Sequence, residues 1–143
     1  MDEKDAGERA TDLPLLVVDA ANVVGSVPDG WWRDRRGATE RLRDALTAVA
    51  EHGLADVRAD GPAGPLEVVL VVEGAARGVA GVPLVRVVAA TGSGDDRIVD
   101  LVAATLAADP HRPCTVVTAD RELRARVTAL GAHVLGPRTV RPA

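Results

Sequence analysis

Apolar residues in this chain fall in short unbroken runs, not in alternation. The runs are "PLLVV" at 14–18, "LEVVLVV" at 66–72, "PLVRVVAA" at 83–90, "CTVVT" at 114–118 and "AHVL" at 132–135. Strands that are continuously Val- and Leu-rich are buried on both faces, the pattern of a parallel sheet. Between them the period lengthens to that of a helix. Residues 38–51 put Leu42, Ala45, Leu46 and Val49 on one stripe, and residues 94–109 do the same with Ile98, Leu101, Val102 and Leu106. A third helix is predicted over 121–130, closed by Gly131, and Gly53 stands where the first helix should stop. Residues 56–65, "DVRADGPAGP", read as a loop. Strands alternating with helices imply a three-layer α/β domain with a mainly parallel sheet of about five strands. One link is short for this scheme. Residues 73–82 are few for a crossover between parallel strands. Either they hold a single turn of helix, or the third strand lies at an edge.

Composition narrows the picture. The 143 residues suit one domain, and 47% are apolar, enough for a sizeable core. That core must be built from Val, Leu and Ala, because the chain has no Phe or Tyr and only two Trp. The first twelve residues, "MDEKDAGERATD", are acidic and polar, unlike a signal or transit peptide, and are expected to be a mobile tail. The domain is then expected over 13–137, with a short tail at 138–143. No apolar run approaches the length of a membrane span. A single cysteine, Cys114, excludes an internal disulfide and a multi-cysteine zinc site, and reads as a core thiol. A cytoplasmic location fits. The net charge of −4 argues against nucleic-acid binding driven by bulk charge, but a local patch can still hold phosphates.

The candidate chemistry lies at the strand ends. The first strand ends in Asp19, with Asn22 three residues on. The second ends in Glu73. The third runs into "TGSGDD", with Asp95 and Asp96, and the fourth into "TAD", with Thr118 and Asp120. Ligands of open parallel α/β sheets bind outside the carboxyl ends of the strands. Any one of these acids has a simple explanation, as a helix cap or an Asx turn. Together they exceed what capping needs. Clustered carboxylates raise one another's pKa unless a cation neutralises them. Hard oxygen donors select Mg²⁺ or Mn²⁺, and such a site suits hydrolysis of phosphate esters. Asn22 adds a neutral donor, and the Thr118 hydroxyl can fix a carboxylate rotamer.

A second segment, "PDGWWRDRRGATERLR" at 28–43, gathers both tryptophans and several arginines beside the first strand's end. Stacking on aromatic rings and Arg–phosphate contacts are the means of binding single-stranded RNA. Arg33, Arg36 and Trp32 are the candidates here, with Arg97 and Arg121 next to the acids. The alternative is a core Trp beside a solvated helix face. The three histidines are scattered and suggest no site.

"VVDAANVVG", "TGSGDDRIV" and "VVTADRELRARV" resemble the signatures of the NYN branch of the PIN-like nucleases. The resemblance runs from about residue 14 to residue 135, and Asp19, Asn22, Asp95, Asp96, Thr118 and Asp120 match residue by residue. Glu73 departs from the Asp that members often carry, but it keeps the charge on a longer arm. The resemblance implies a compact Rossmann-like fold with strand order 3-2-1-4-5, which brings Asp19 and Asp120 together. It also implies a metal-dependent ribonuclease. Asp19, Asp95, Asp96 and Asp120, helped by Glu73, would hold Mg²⁺ or Mn²⁺ while activated water attacks phosphorus in line. The partner is then RNA, single-stranded by preference. A homodimer is allowed. Two other readings use the same rim: a phosphohydrolase of nucleotides or small phosphate esters, and a non-catalytic RNA-binding module. A classical dinucleotide enzyme is disfavoured, since no Gly-x-Gly-x-x-Gly follows the first strand, and a Walker-type ATPase is excluded, since Gly-Lys-Ser/Thr does not occur.

Overall fold

The computed structural model describes residues 13–55 and 61–141. The expected N-terminal tail and part of the 56–65 loop lie outside the described residues. Five strands form one sheet: β1 (Leu15–Asp19), β2 (Glu67–Val72), β3 (Val85–Ala89), β4 (Cys114–Val117) and β5 (His133–Leu135). The order is β3-β2-β1-β4-β5 and every pairing is parallel. The helices are α1 (Ala20–Val24), α2 (Arg35–His52), α3 (Gly94–Ala108) and α4 (Arg121–Ala129). Among the described residues no helix is long and apolar enough to cross a membrane.

The period-two geometry of a strand sends successive side chains to opposite faces. Leu16, Val18, Val68, Leu70 and Val72 therefore pack with α1 and α2, through Val23, Leu42 and Leu46. Leu15, Val17, Val69, Val71 and Val116 pack with α3 and α4, through Ile98, Val102, Leu123 and Val127. This is the expected three-layer α/β arrangement, achieved with aliphatic side chains. Cys114 is buried in the second of these cores, and burial pushes its thiol up to about 11, as for a core thiol and unlike a nucleophile.

Both resolutions of the short 73–82 link occur at once. The link holds one 3₁₀ turn, Gly74–Ala76, and β3 is an edge strand. Helix α2 secures it from above: Arg43 donates to the Ala80 carbonyl (2.8 Å) and Arg36 to that of Gly78 (3.4 Å). Helix α2 begins at Arg35, three residues before the periodic stripe, because Asp34 caps it by accepting from Gly37 N (2.9 Å). A Cβ on Gly37 would lie against the Asp34 carboxylate, so glycine is what admits this cap. Helix α2 ends at Gly53, whose φ of +73° is open to glycine. At the far end of the chain Thr139 and Val140 are buried, and Arg141 donates to the Val24 carbonyl (2.7 Å) and pairs with Asp29. The chain through Arg141 is thus packed on α1, beyond the expected domain limit at 137.

Candidate active site

The site is built by the ends of β1, β2 and β4 and by the start of α3. Asp19 is the last residue of β1 and the N-cap of α1. Its carboxylate accepts from Thr118 Oγ1 (3.0 Å) and from Asn22 N (3.4 Å) and is only 6% exposed. Burial holds its pKa up at about 6 against an ordinary 3.8, and the charges of Asp95 and Glu73 push the same way, opposed by those two hydrogen bonds. Helix α1, one short turn and a half, is an element that hydrophobic periodicity alone does not reveal.

Thr118 is fully buried and joins two acids. Its hydroxyl donates to Asp19 and accepts from Asp120 N (3.2 Å). Asp120 in turn caps α4, accepting from Leu123 N (2.8 Å) through Oδ1. Asn22 accepts from Ala119 N (2.9 Å) through its Oδ1. That bond fixes the amide orientation and leaves the NH₂ as the end free to donate to a ligand. Glu73 accepts from Gly94 N at the start of α3 in a short hydrogen bond. The longer glutamate is accommodated because residue 94 is glycine: a Cβ there would lie 2.5 Å from the Glu73 carboxylate oxygen.

Asp19, Asn22, Glu73, Asp95 and Asp120, with Ala21 and Ser93, line one open pocket of about 370 Å³. Burial raises the Asp95 pKa, followed by the charges of Asp120 and Glu73, while Arg126 lowers it. Asp96 does not line this pocket. It is exposed and faces α4, where Arg126 bonds it at 3.0 Å. The two neighbouring acids diverge because successive helical positions point about 100° apart. Ser93 takes a place at the pocket instead. It caps α3 by accepting from Asp96 N (3.4 Å), and the Ser-x-x-Asp spacing in "SGDD" is the signal that announces such a cap.

None of the basic and aromatic candidates lines this pocket. Arg36 bonds the Gly78 carbonyl. Arg33 and Trp32 are exposed, with the guanidinium 5.9 Å from the ring centroid. Arg97 is partly buried on α3 and Arg121 is exposed at the start of α4. The segment's other pair sits closer: Trp31 and Arg35 wall a second cavity that adjoins the acids.

This architecture occurs in a solved structure. Rae1 (YacP) from Bacillus subtilis matches with a TM-score of 0.66 at 18% identity, over 90% of this chain and 71% of that one. A single-substitution mutant of the same protein matches at 0.64 and 17%, over 90% and 72%. The shared fold is the PIN-like one, with its five-stranded parallel sheet in the order 3-2-1-4-5. No family model and no curated protein matches the chain.

The donor set is all oxygen, apart from the Asn22 NH₂, and it carries four carboxylates with no cation in the pocket lining. That chemistry fits a hard divalent ion such as Mg²⁺ or Mn²⁺. Among the described residues no three acids stand close enough to close on one ion as they are.

Proposed function

We propose that the protein is a metal-dependent ribonuclease whose acid pocket hydrolyses phosphodiester bonds of single-stranded RNA. One observation carries this reading: an acid that ends β1, acids that follow β2 and β4, and one from the first turn of α3 line a single open pocket at the carboxyl ends of a parallel sheet. The order of motifs that resembles the NYN nucleases supports it, as does the PIN-like fold. Asp19, Asp95 and Asp120 would hold Mg²⁺ or Mn²⁺, with Glu73 as a further ligand or as the anchor of α3. The ion, when bound, supplies positive charge for the phosphoryl oxygens in the transition state and makes water more acidic.

The chain's own residues do the rest. Thr118 holds the Asp19 carboxylate in one rotamer and, through Asp120 N, sets the spacing of the two acids. The Asn22 amide, anchored on Ala119 N, offers its NH₂ to a phosphate oxygen without adding repulsion. Asp96 is outside this machinery and serves as a surface partner of Arg126.

The test is incubation of end-labelled single-stranded RNA with wild type and Asp19→Asn, with Mn²⁺ and with EDTA. Wild type is expected to cut only with the metal and to leave 5′-phosphate and 3′-hydroxyl ends, and the variant to lose at least about a hundredfold in rate. Release of phosphate or pyrophosphate from mononucleotides with RNA left whole would move the assignment to a phosphohydrolase. Metal-independent cutting, or equal cutting by the variant, would remove it.

A further inference from the structure

We propose that the cavity beside the acid pocket receives one unpaired nucleobase of the RNA, with Trp31 as its stacking wall and Arg35 as the positive charge at its mouth. This rests on the ribonuclease reading of the neighbouring acids.

The cavity encloses about 450 Å³, within the range of about 300–1,000 Å³ that takes small organic groups. Its lining includes the small apolar residues Ala20, Val24 and Ala76, which suit a flat ring. Its two distinctive residues are Trp31 and Arg35. The Trp31 indole is half-buried, packed against the core under α2, and braced edge-on by Trp32 (centroids 6.0 Å apart, planes at 86°). The Arg35 guanidinium lies over that indole at 5.3 Å from the ring centroid. A rigid aromatic wall with an arginine on it is the chemistry that binds an unstacked base next to its phosphate.

The occupant follows from continuity. The cavity and the acid pocket share Ala21, Glu73 and Ser93. Whatever fills the cavity is therefore part of, or next to, the molecule whose phosphate meets the acids. In an RNA strand that neighbour is the base of a nucleotide adjoining the scissile phosphate. Bases of a duplex stay in their stack, so a pocket of this kind selects single strands and loops.

The test separates base binding from cleavage. A short fluorescent RNA is synthesised with an abasic nucleotide at each position in turn, and binding is read by anisotropy in EDTA. The proteins are wild type, Trp31→Leu, Trp31→Phe and Gly92→Leu. Gly92 lines the cavity, and a Cβ there meets no atom within 4 Å, so the position accepts a side chain that takes up space at the cavity wall. The base at one position should matter to wild type by about 5- to 100-fold in Kd. That dependence should persist in Trp31→Phe and vanish in Trp31→Leu and Gly92→Leu. Equal binding of all abasic strands by wild type, or a base dependence unchanged in both leucine variants, overturns the proposal. Mn²⁺-dependent cleavage is scored separately on the same strands. Base dependence that responds to the leucine variants without cleavage by wild type removes the nuclease reading and keeps the cavity as a base site.

Discussion

Asp19→Asn should stabilise the protein while disabling it, and the gain should depend on pH in a defined way. The Asp19 carboxyl is buried at the end of β1, and its pKa rises from 3.8 to about 6. Between those values the folded chain binds a proton that the unfolded chain does not. Stability therefore falls as pH rises from about 4 to about 6, and the loss is complete and constant above that. A shift of about two units corresponds to about 3 kcal/mol, an upper figure for the cost of keeping Asp19 ionised at neutral pH. An asparagine carries no such cost; its Oδ1 can still accept from the Thr118 hydroxyl, while its NH₂ replaces the oxygen that accepts from Asn22 N, a long contact whose loss takes up to about 1 kcal/mol from the gain. The variant should thus lie within about 1 kcal/mol of wild type near about pH 4 and exceed it by about 1–3 kcal/mol near about pH 7. Urea unfolding of both proteins across this range, in EDTA, measures the difference directly, because contributions shared by the two cancel. A variant less stable than wild type at neutral pH, or a difference that does not change with pH, would refute the electrostatic reading of this carboxylate.

Three further outcomes follow from the same geometry. Asp95→Asn should cut the rate of RNA hydrolysis by at least about a hundredfold, whereas Asp96→Asn should stay within about threefold and change stability by no more than about 1 kcal/mol, since its contact is an exposed ion pair; steady-state kinetics and thermal melts on the two variants decide this. Gly94→Ala, a change that usually helps a helix, should instead destabilise by about 1–3 kcal/mol by displacing the Glu73 carboxylate, and a double-mutant cycle with Glu73→Ala should recover most of that loss; additive effects would show that the two residues are not coupled. Thr118→Val keeps the shape but strips a hydrogen bond from a buried carboxylate and from Asp120 N, so it should lower stability by about 1–3 kcal/mol and move the Asp19 titration higher still, which pH-dependent unfolding against wild type would reveal.

Most of the fold is legible in the sequence because the strands are greasy on both faces and the long helices carry clear stripes. The five apolar runs became the five strands, and the order implied by the family resemblance is the order seen. What escaped the pattern is local. Helix α1 is only five residues, too short to show a period, and is set by Asp19 capping "AANVV". The start of α2 at Arg35 depends on a single contact between Asp34 and Gly37, a glycine that a propensity argument counts against a helix. The candidate site was legible as a set of strand ends, and five of its residues do share one pocket. The divergence of Asp95 from Asp96 was hidden because adjacent identical acids carry no sign of which one faces inward. The same ambiguity affected "WWRDRR", where Trp31 and Arg35, not their neighbours, face the cavity. That distinction comes from the 3₁₀ turn at Trp31–Arg33 and the capping of α2, neither of which composition encodes.

The proposed hydrolysis depends on a divalent cation shared by these strand-end acids. Mn²⁺ binding followed by electron paramagnetic resonance at neutral pH tests it on wild type, Asp19→Asn, Asp120→Asn and Asp96→Asn. Wild type and Asp96→Asn should bind the ion alike, and the other two variants should weaken it by at least about tenfold. No binding by wild type, or equal binding by all four proteins, would contradict the account.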